Sequence, residues 1–143
     1  MYSKASFPAL RQTRSMMFWV LLAIGIAFVS RQINSAPEVP QLTVAEAKAL
    51  VDEGAMVIDV RGSEAFGHRH IPGAINLPLS VLQSGLPSVL SEARARKIVV
   101  YCNDGVRTGP DATRILNDAG FTLAANVHSG IEGWVAAGHP IAR

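Results

Sequence analysis

The sequence predicts an α/β domain built on a parallel sheet, and three observations point there. Short apolar runs rich in branched residues, "AMVIDV" (55–60), "KIVVYC" (97–102) and "FTLAANV" (121–127), recur along the chain. Polar residues do not alternate through them, the pattern of strands buried on both faces rather than one. Helical patterns separate the runs, and strands alternating with helices fold into a parallel sheet with helices packed on each side. At 143 residues and 49% apolar content, one domain with one sizeable core is expected.

The elements follow in order. "SAPEVPQ", Ser35 to Gln41, is Pro-rich and polar and reads as a spacer before the domain. "TVAEAKALVDEG" opens with Thr43 as a helix N-cap and Glu46 three residues on, a capping box, and stops at Gly54. "AMVIDV" is long enough only for a strand, and "GAINLP" supplies another brief one at Ala74 to Leu77. In "SVLQSGLPSVLSEARA", Gly85 and Pro87 interrupt one or two helical turns, and a better helix is expected to run on to about Ala95. "KIVVYC" is the next strand. "GPDATRILNDAG" places Ala112, Ile115, Leu116 and Ala119 on one helical stripe, with Gly120 as the stop. "FTLAANV" is a further strand and "GIEGWVAAG" a closing short helix.

The chain's single cysteine, Cys102, ends an apolar strand and opens the polar loop "CNDGVRTG" that leads into a helical pattern. In open α/β sheets ligands bind beyond the carboxyl ends of the strands, where this loop lies. A helix N-terminus offers unpaired N–H groups and partial positive charge, and Arg107 adds a full one. Both favour thiolate over thiol, the condition for a nucleophilic sulfur. A lone cysteine is otherwise most often a small buried hydrophobe, and its place at a strand end beside this loop argues against that. "VIDVR" ends at the same rim, bringing Arg61 toward the site either as an anion ligand or as the partner of Asp59 in a structural ion pair. One cysteine and four scattered histidines match no metal-ligand spacing and allow no internal disulfide, so neither metal nor cofactor is expected.

Charge is unevenly placed. Residues 1–36 hold Lys4, Arg11, Arg14 and Arg31 with no acid, whereas the rest of the chain carries eleven acids against nine Lys and Arg. The folded part is therefore mildly acidic, which gives no support for nucleic-acid binding. The apolar stretch "MMFWVLLAIGIAFV", Met16 to Val29, follows three basic residues and precedes Arg31. As a helix it spans about 21 Å, short of a hydrocarbon core of about 30 Å; Ser15, Ser30 and a snorkelling Arg31 extend it. Asn34-Ser35-Ala36 makes a poor cleavage site, so residues 1–36 are expected to be an uncleaved signal anchor in preference to a cleaved signal peptide. The membrane contact is placed at residues 16–30, with 37–41 as linker and 42–143 as the domain. The positive flank predicts a bacterial inner-membrane location with the domain in the periplasm, or an exported domain if the leader is cut. A mitochondrial transit peptide is a minor alternative. An unpaired cysteine in an oxidising compartment points to a reactive thiol or an intermolecular bridge.

Four separated motifs carry a resemblance. "IDVR" (58–61), "HIPGAINLP" (70–78), "YCNDGVRTG" (101–109) and "GIEGWVAAGHPI" (130–141) resemble, in order and spacing, the signatures of single-domain rhodaneses, a family of thiosulfate sulfurtransferases. The resemblance covers about Leu42 to Ile141 and implies a central, mostly parallel five-stranded sheet flanked by helices, preceded here by the N-terminal apolar helix. It also implies that Cys102 carries sulfur as a persulfide. Dual-specificity phosphatases of the cell-cycle type resemble the same fold, but they place five residues between cysteine and arginine and usually a His before the cysteine. Here four residues, Asn103 to Val106, precede Arg107, and Tyr101 precedes Cys102, which is the sulfurtransferase pattern.

On this reading backbone N–H groups from Asn103, Asp104, Gly105, Val106, Arg107 and Thr108 surround the transferred sulfur. Arg107 binds the anionic donor in preference to pairing with Asp104 or Glu132, and a thiol or cyanide accepts the sulfur. Arg69 and Ser129 depart from the family pattern at loop positions. Asp104 places an acid inside the cradle, where it opposes thiolate formation and anion entry unless its side chain points into solvent. His70 and Trp134 are assigned to packing and turns, and His68, His128 and His139 have no evident catalytic partner. Two functions are expected in order: a sulfurtransferase acting on a small anionic donor and a thiol acceptor, with a protein acceptor open; or a membrane-tethered persulfide carrier or anion-binding module without significant turnover.

Overall fold

The computed structural model describes Met17, residues 19–24 and residues 38–143. The chain divides into two compact units, Met1–Glu38 and Val39–Arg143. Of the first, residues 17 and 19–24 are helical and exposed; the rest of the expected anchor at 16–30 lies outside the described residues. Among the described residues no helix is long and apolar enough to cross a membrane.

The second unit is a five-stranded parallel sheet flanked by helices. Its elements are β1 (Gln41–Leu42), α1 (Val44–Asp52), β2 (Met56–Asp59), α2 (Ser63–His68), β3 (Ile75–Asn76), α3 (Leu79–Ser84), a 3₁₀ turn (Ser88–Leu90), β4 (Ile98–Tyr101), α4 (Thr108–Asp118), β5 (Ala124–Val127) and α5 (Gly130–Ala136). The strand order is β1-β5-β4-β2-β3, and every pairing is parallel. The sheet is thus wholly parallel where a mostly parallel one was expected.

Local chemistry explains most boundaries. Thr43 and Glu46 form the expected capping box, the Glu46 N–H donating to Oγ1 at 3.2 Å and the Thr43 N–H to the Glu46 carboxylate at 2.8 Å. The Thr43 N–H, and then the Thr43 hydroxyl donating to the same carboxylate at 2.8 Å, hold the Glu46 carboxyl below its usual range. β2 and β4 are buried at every position, as their unbroken apolar runs require. Successive residues of β4 point to opposite faces. Ile98 and Val100 join Ile58, Val60, Ala112, Leu116 and Phe121 on one side, and Val99 and Tyr101 join Ala47, Ile71, Ile131 and Trp134 on the other. Burying a side chain such as Leu116 contributes about 1.5–3 kcal/mol.

Three elements differ from expectation. The chain enters the sheet earlier than the predicted linker allows: Val39 is buried, the Asn126 N–H donates to the Pro40 carbonyl at 2.9 Å, and Gln41 lies in β1. The helix expected up to Ala95 is instead a 3₁₀ turn and further turns with i to i+3 bonds, Ala93 to Leu90 and Arg96 to Ala93. Its anchors, Leu90 and Ala93, are three residues apart and so share a face of a three-residue spiral. Helix α2 had no apolar stripe to reveal it; it buries no residue. His70 follows it, stacked on Phe66 at 4.0 Å with Nδ1 3.0 Å from the Phe66 carbonyl, and Trp134 donates from Nε1 to Pro140 at 2.8 Å, both in packing roles.

Candidate active site

The parallel register sets Asp59 beside Tyr101, so β2 and β4 deliver Arg61 and Cys102 to one rim. A cleft of about 580 Å³ opens there, walled by Val60, Ala65 and Leu79 and lined by Arg61, Cys102, Asn103, Asp104, Arg107, Thr108 and Asp111.

Cys102 is 3% exposed. Its Sγ accepts the Gly105 N–H at 3.2 Å and lies 3.6 Å from Asp104 Oδ1, a weak S–H···O contact. The loop is also held by α5. The Ile131 N–H donates to the Cys102 carbonyl at 2.9 Å and the Glu132 N–H to the Asn103 carbonyl at 3.0 Å. Two loop carbonyls are thus satisfied away from the cleft. Gly130 permits this approach: a Cβ there would sit 2.3 Å from the Asn103 carbonyl oxygen.

A second brace comes from a residue that no sequence motif singled out. Asn126, fully buried on β5, donates from Nδ2 to the Gly105 carbonyl at 2.9 Å and to Gln41 Oε1 at 2.7 Å. It fixes the Gly105–Val106 peptide, which follows the N–H that faces the sulfur. Gly109 is tight for the same reason, since its Cβ would meet Asn126 Oδ1 at 2.1 Å and Cys102 Sγ at 3.3 Å. A polar residue inside an apolar strand run was the available signal, because buried polar groups are rarely placed without a partner.

Not all expected loop donors face the sulfur. The Gly105 N–H does, but the Val106 N–H donates to Asp104 Oδ1 at 3.0 Å, and the Val106 side chain, 64% exposed, stands at the loop tip. Asp104 therefore folds back onto its own loop while remaining exposed to solvent. The Val106 bond is the main cause holding its carboxyl below the usual range, with the Cys102 contact and the Arg107 charge acting the same way. Arg107 is exposed and occupies the N-cap position of α4 without a side-chain cap bond. It joins none of the ion pairs among the described residues. The first turn of α4, with Thr108 at its start, adds partial positive charge at the cleft.

Arg61 is engaged. Its Nε and Nη2 donate to both Asp59 carboxylate oxygens at 2.6–3.1 Å, and Nη2 also donates to the Arg69 carbonyl at 2.7 Å. Nη1 reaches Asn103 Oδ1 at 3.4 Å, and the guanidinium lies over the Tyr101 ring at 5.7 Å. Burial alone would lower this guanidinium, and the Asp59 carboxylate reverses that and raises it. Of its two expected roles, the ion pair is the one the geometry displays; the group borders the cleft while its charge is neutralised. Burial, then Asp59, pushes the Tyr101 phenol well above its usual range, so it stays neutral and accepts the Ile71 N–H at 3.1 Å. Asp111, also unforeseen at the cleft, pairs with Arg114 at 3.0 Å. No cluster of potential metal ligands occurs among the described residues.

The rhodanese-like domain family model matches residues 43–137. The chain belongs to the rhodanese-like family. The match spans β2 to β5, the Cys102 loop and α5. An adenylyltransferase and sulfurtransferase, MOCS3-1 of Zea mays, is 33% identical over 108 residues, covering 71% of this chain and 23% of that protein. A thiosulfate sulfurtransferase from Pseudomonas aeruginosa superposes with a TM-score of 0.62 at 26% identity, covering 73% of this chain and 20% of that one. A rhodanese-related protein from Thermoplasma volcanium, at 24% identity and a TM-score of 0.62, shares the fold over 72% of this chain and 97% of its own length. This chain therefore spans about a quarter or less of the maize and Pseudomonas proteins, which consist mostly of other sequence.

Proposed function

We propose that this rhodanese-like domain is a sulfurtransferase that passes sulfane sulfur through a Cys102 persulfide to a thiol or cyanide. The observation that carries the reading is the Cys102 sulfur at the floor of an open cleft, accepting a loop N–H from Gly105 at 3.2 Å. The thiol proton leaves to solvent. The thiolate then attacks the outer sulfur of thiosulfate; the new S–S bond forms as the old one breaks, and its electron pair departs with sulfite. The acceptor thiolate attacks the outer persulfide sulfur in turn, and Cys102 leaves as thiolate. Preorganised N–H donors and the α4 N-terminus stabilise the anionic sulfur without a metal.

Intact-mass measurement of the full chain after incubation with thiosulfate tests this. One added sulfur atom is expected, removed by cyanide and absent in Cys102→Ala. No added sulfur from any sulfane donor would overturn the reading, and loading without turnover to thiols would favour a carrier.

Arg107 is the cation at the cleft not neutralised by a bonded carboxylate, suited to the oxyanions of the donor and the departing sulfite. Arg107→Ala is expected to slow loading from thiosulfate about ten-fold and loading from an uncharged donor much less, read as the ratio of the two rates. Equal loss with both donors would remove its proposed role.

A further inference from the structure

The cleft mouth is poorly suited to a dianion. Its two arginines are not equivalent: Arg61 is neutralised by Asp59 at 2.6 Å, which leaves Arg107 as the free cation. Of its two carboxylates, Asp111 is paired with Arg114, which leaves Asp104. This carboxylate lies beside the reacting atom, with Oδ1 3.6 Å from Cys102 Sγ. It is also held there, because the Val106 N–H donates to the same oxygen at 3.0 Å. An anion is thus already seated on a loop amide that an incoming oxyanion or outer sulfur would use. The same bond holds the carboxyl below its usual range.

We propose that Asp104 is a specificity-determining residue that disfavours dianionic donors such as thiosulfate and selects sulfane donors carrying at most one charge, organic persulfides of the form R–S–SH. This rests on the sulfur-transfer reading given above. With such a donor the Cys102 thiolate attacks the outer sulfur, a new S–S bond forms, and the donor's S–S bond breaks with its electron pair on R–S⁻. The hydrogen stays on the transferred sulfur, so Cys102–S–SH and the thiolate R–S⁻ balance the step. No oxidant enters. A dianion at the same position carries twice the charge of a monoanion against the Asp104 carboxylate, and at such short range, even with solvent screening the exposed carboxylate, the added repulsion is worth up to about ten-fold in rate.

The experiment measures sulfur loading of the full chain by intact mass, from thiosulfate and from benzyl persulfide, in wild type, Asp104→Asn and Asp104→Ser. Asparagine keeps an oxygen for the Val106 N–H and removes only the charge; serine also clears space above Sγ. The rate ratio, thiosulfate over benzyl persulfide, is expected to rise about ten-fold in Asp104→Asn and at least as much in Asp104→Ser. A ratio within two-fold of wild type in both variants, with wild type loading normally, would overturn this inference and leave the sulfurtransferase reading standing. Failure of wild type to load from either donor would overturn both.

Discussion

Asp59→Ala is expected to destabilise the domain by about 3–5 kcal/mol, the cost of leaving a buried charge without its partner. The Asp59 side chain is wholly buried and the Arg61 side chain 6% exposed, so water cannot replace the carboxylate. Asp59 accepts from the Arg61 backbone N–H at 2.9 Å as well as from the guanidinium, and all of these bonds are lost together. For a domain of this size the loss lowers the melting temperature by about 4–8 °C per kcal/mol. Thermal and urea melts of the variant check the size of the effect. Adding Arg61→Met is expected to recover a substantial part of it, since the penalty lies in the orphaned guanidinium more than in the missing bonds. A loss below about 1 kcal/mol in the single variant would show that Arg61 finds solvent and that the pair does not organise the rim.

Gly105→Ala is expected to slow Cys102 sulfur loading by about 10²–10³-fold, the usual consequence of removing one preorganised N–H donor from an anionic centre. Gly105 has φ of +75°, a region that costs a residue with a Cβ about 1–2 kcal/mol. The added methyl would stand 2.2 Å from both the Val127 and His128 carbonyl oxygens. These are backbone atoms at the end of β5 and cannot swing aside, so the loop must lift. Lifting breaks two contacts at once: the N–H to Sγ at 3.2 Å and the carbonyl to Asn126 at 2.9 Å. Time-resolved intact mass gives the rate, and circular dichroism checks that the sheet persists. Loading within about ten-fold of wild type in a folded variant would remove the Gly105 N–H from the mechanism.

Much of this was legible in the sequence because it depends on local pattern. The buried strands announced themselves by apolar runs, α1 by its capping box, and the cleft cysteine by its position between a strand and a helix. What escaped depends on distant partners. β1 has two residues, Gln41 and Leu42, and becomes a strand only because β5 is there to pair with it. Asn126 looks like an interruption of a strand until the Gly105 carbonyl is brought beside it. Asp104 does face water, and only the loop's turn also gives it the Val106 N–H. Arg61 could serve two masters in the sequence; burial of the rim holds its guanidinium on the Asp59 carboxylate two residues back.

Apart from Arg61, the supports of the Cys102 loop lie downstream of it in the chain, at Asn126, Ile131 and Glu132. β5 also separates β1 from β4 in the sheet, so the first strand has no place to dock until the last is made. During synthesis, when chains emerge from the N-terminal end, the cysteine is exposed to solvent as part of an unbraced segment for as long as residues 124–132 are missing. Parallel pairing of distant strands is slow to form even then. A thiol that is shielded in the finished domain is therefore most open to oxidation in the nascent chain, and its protection arrives with the final few turns of polypeptide.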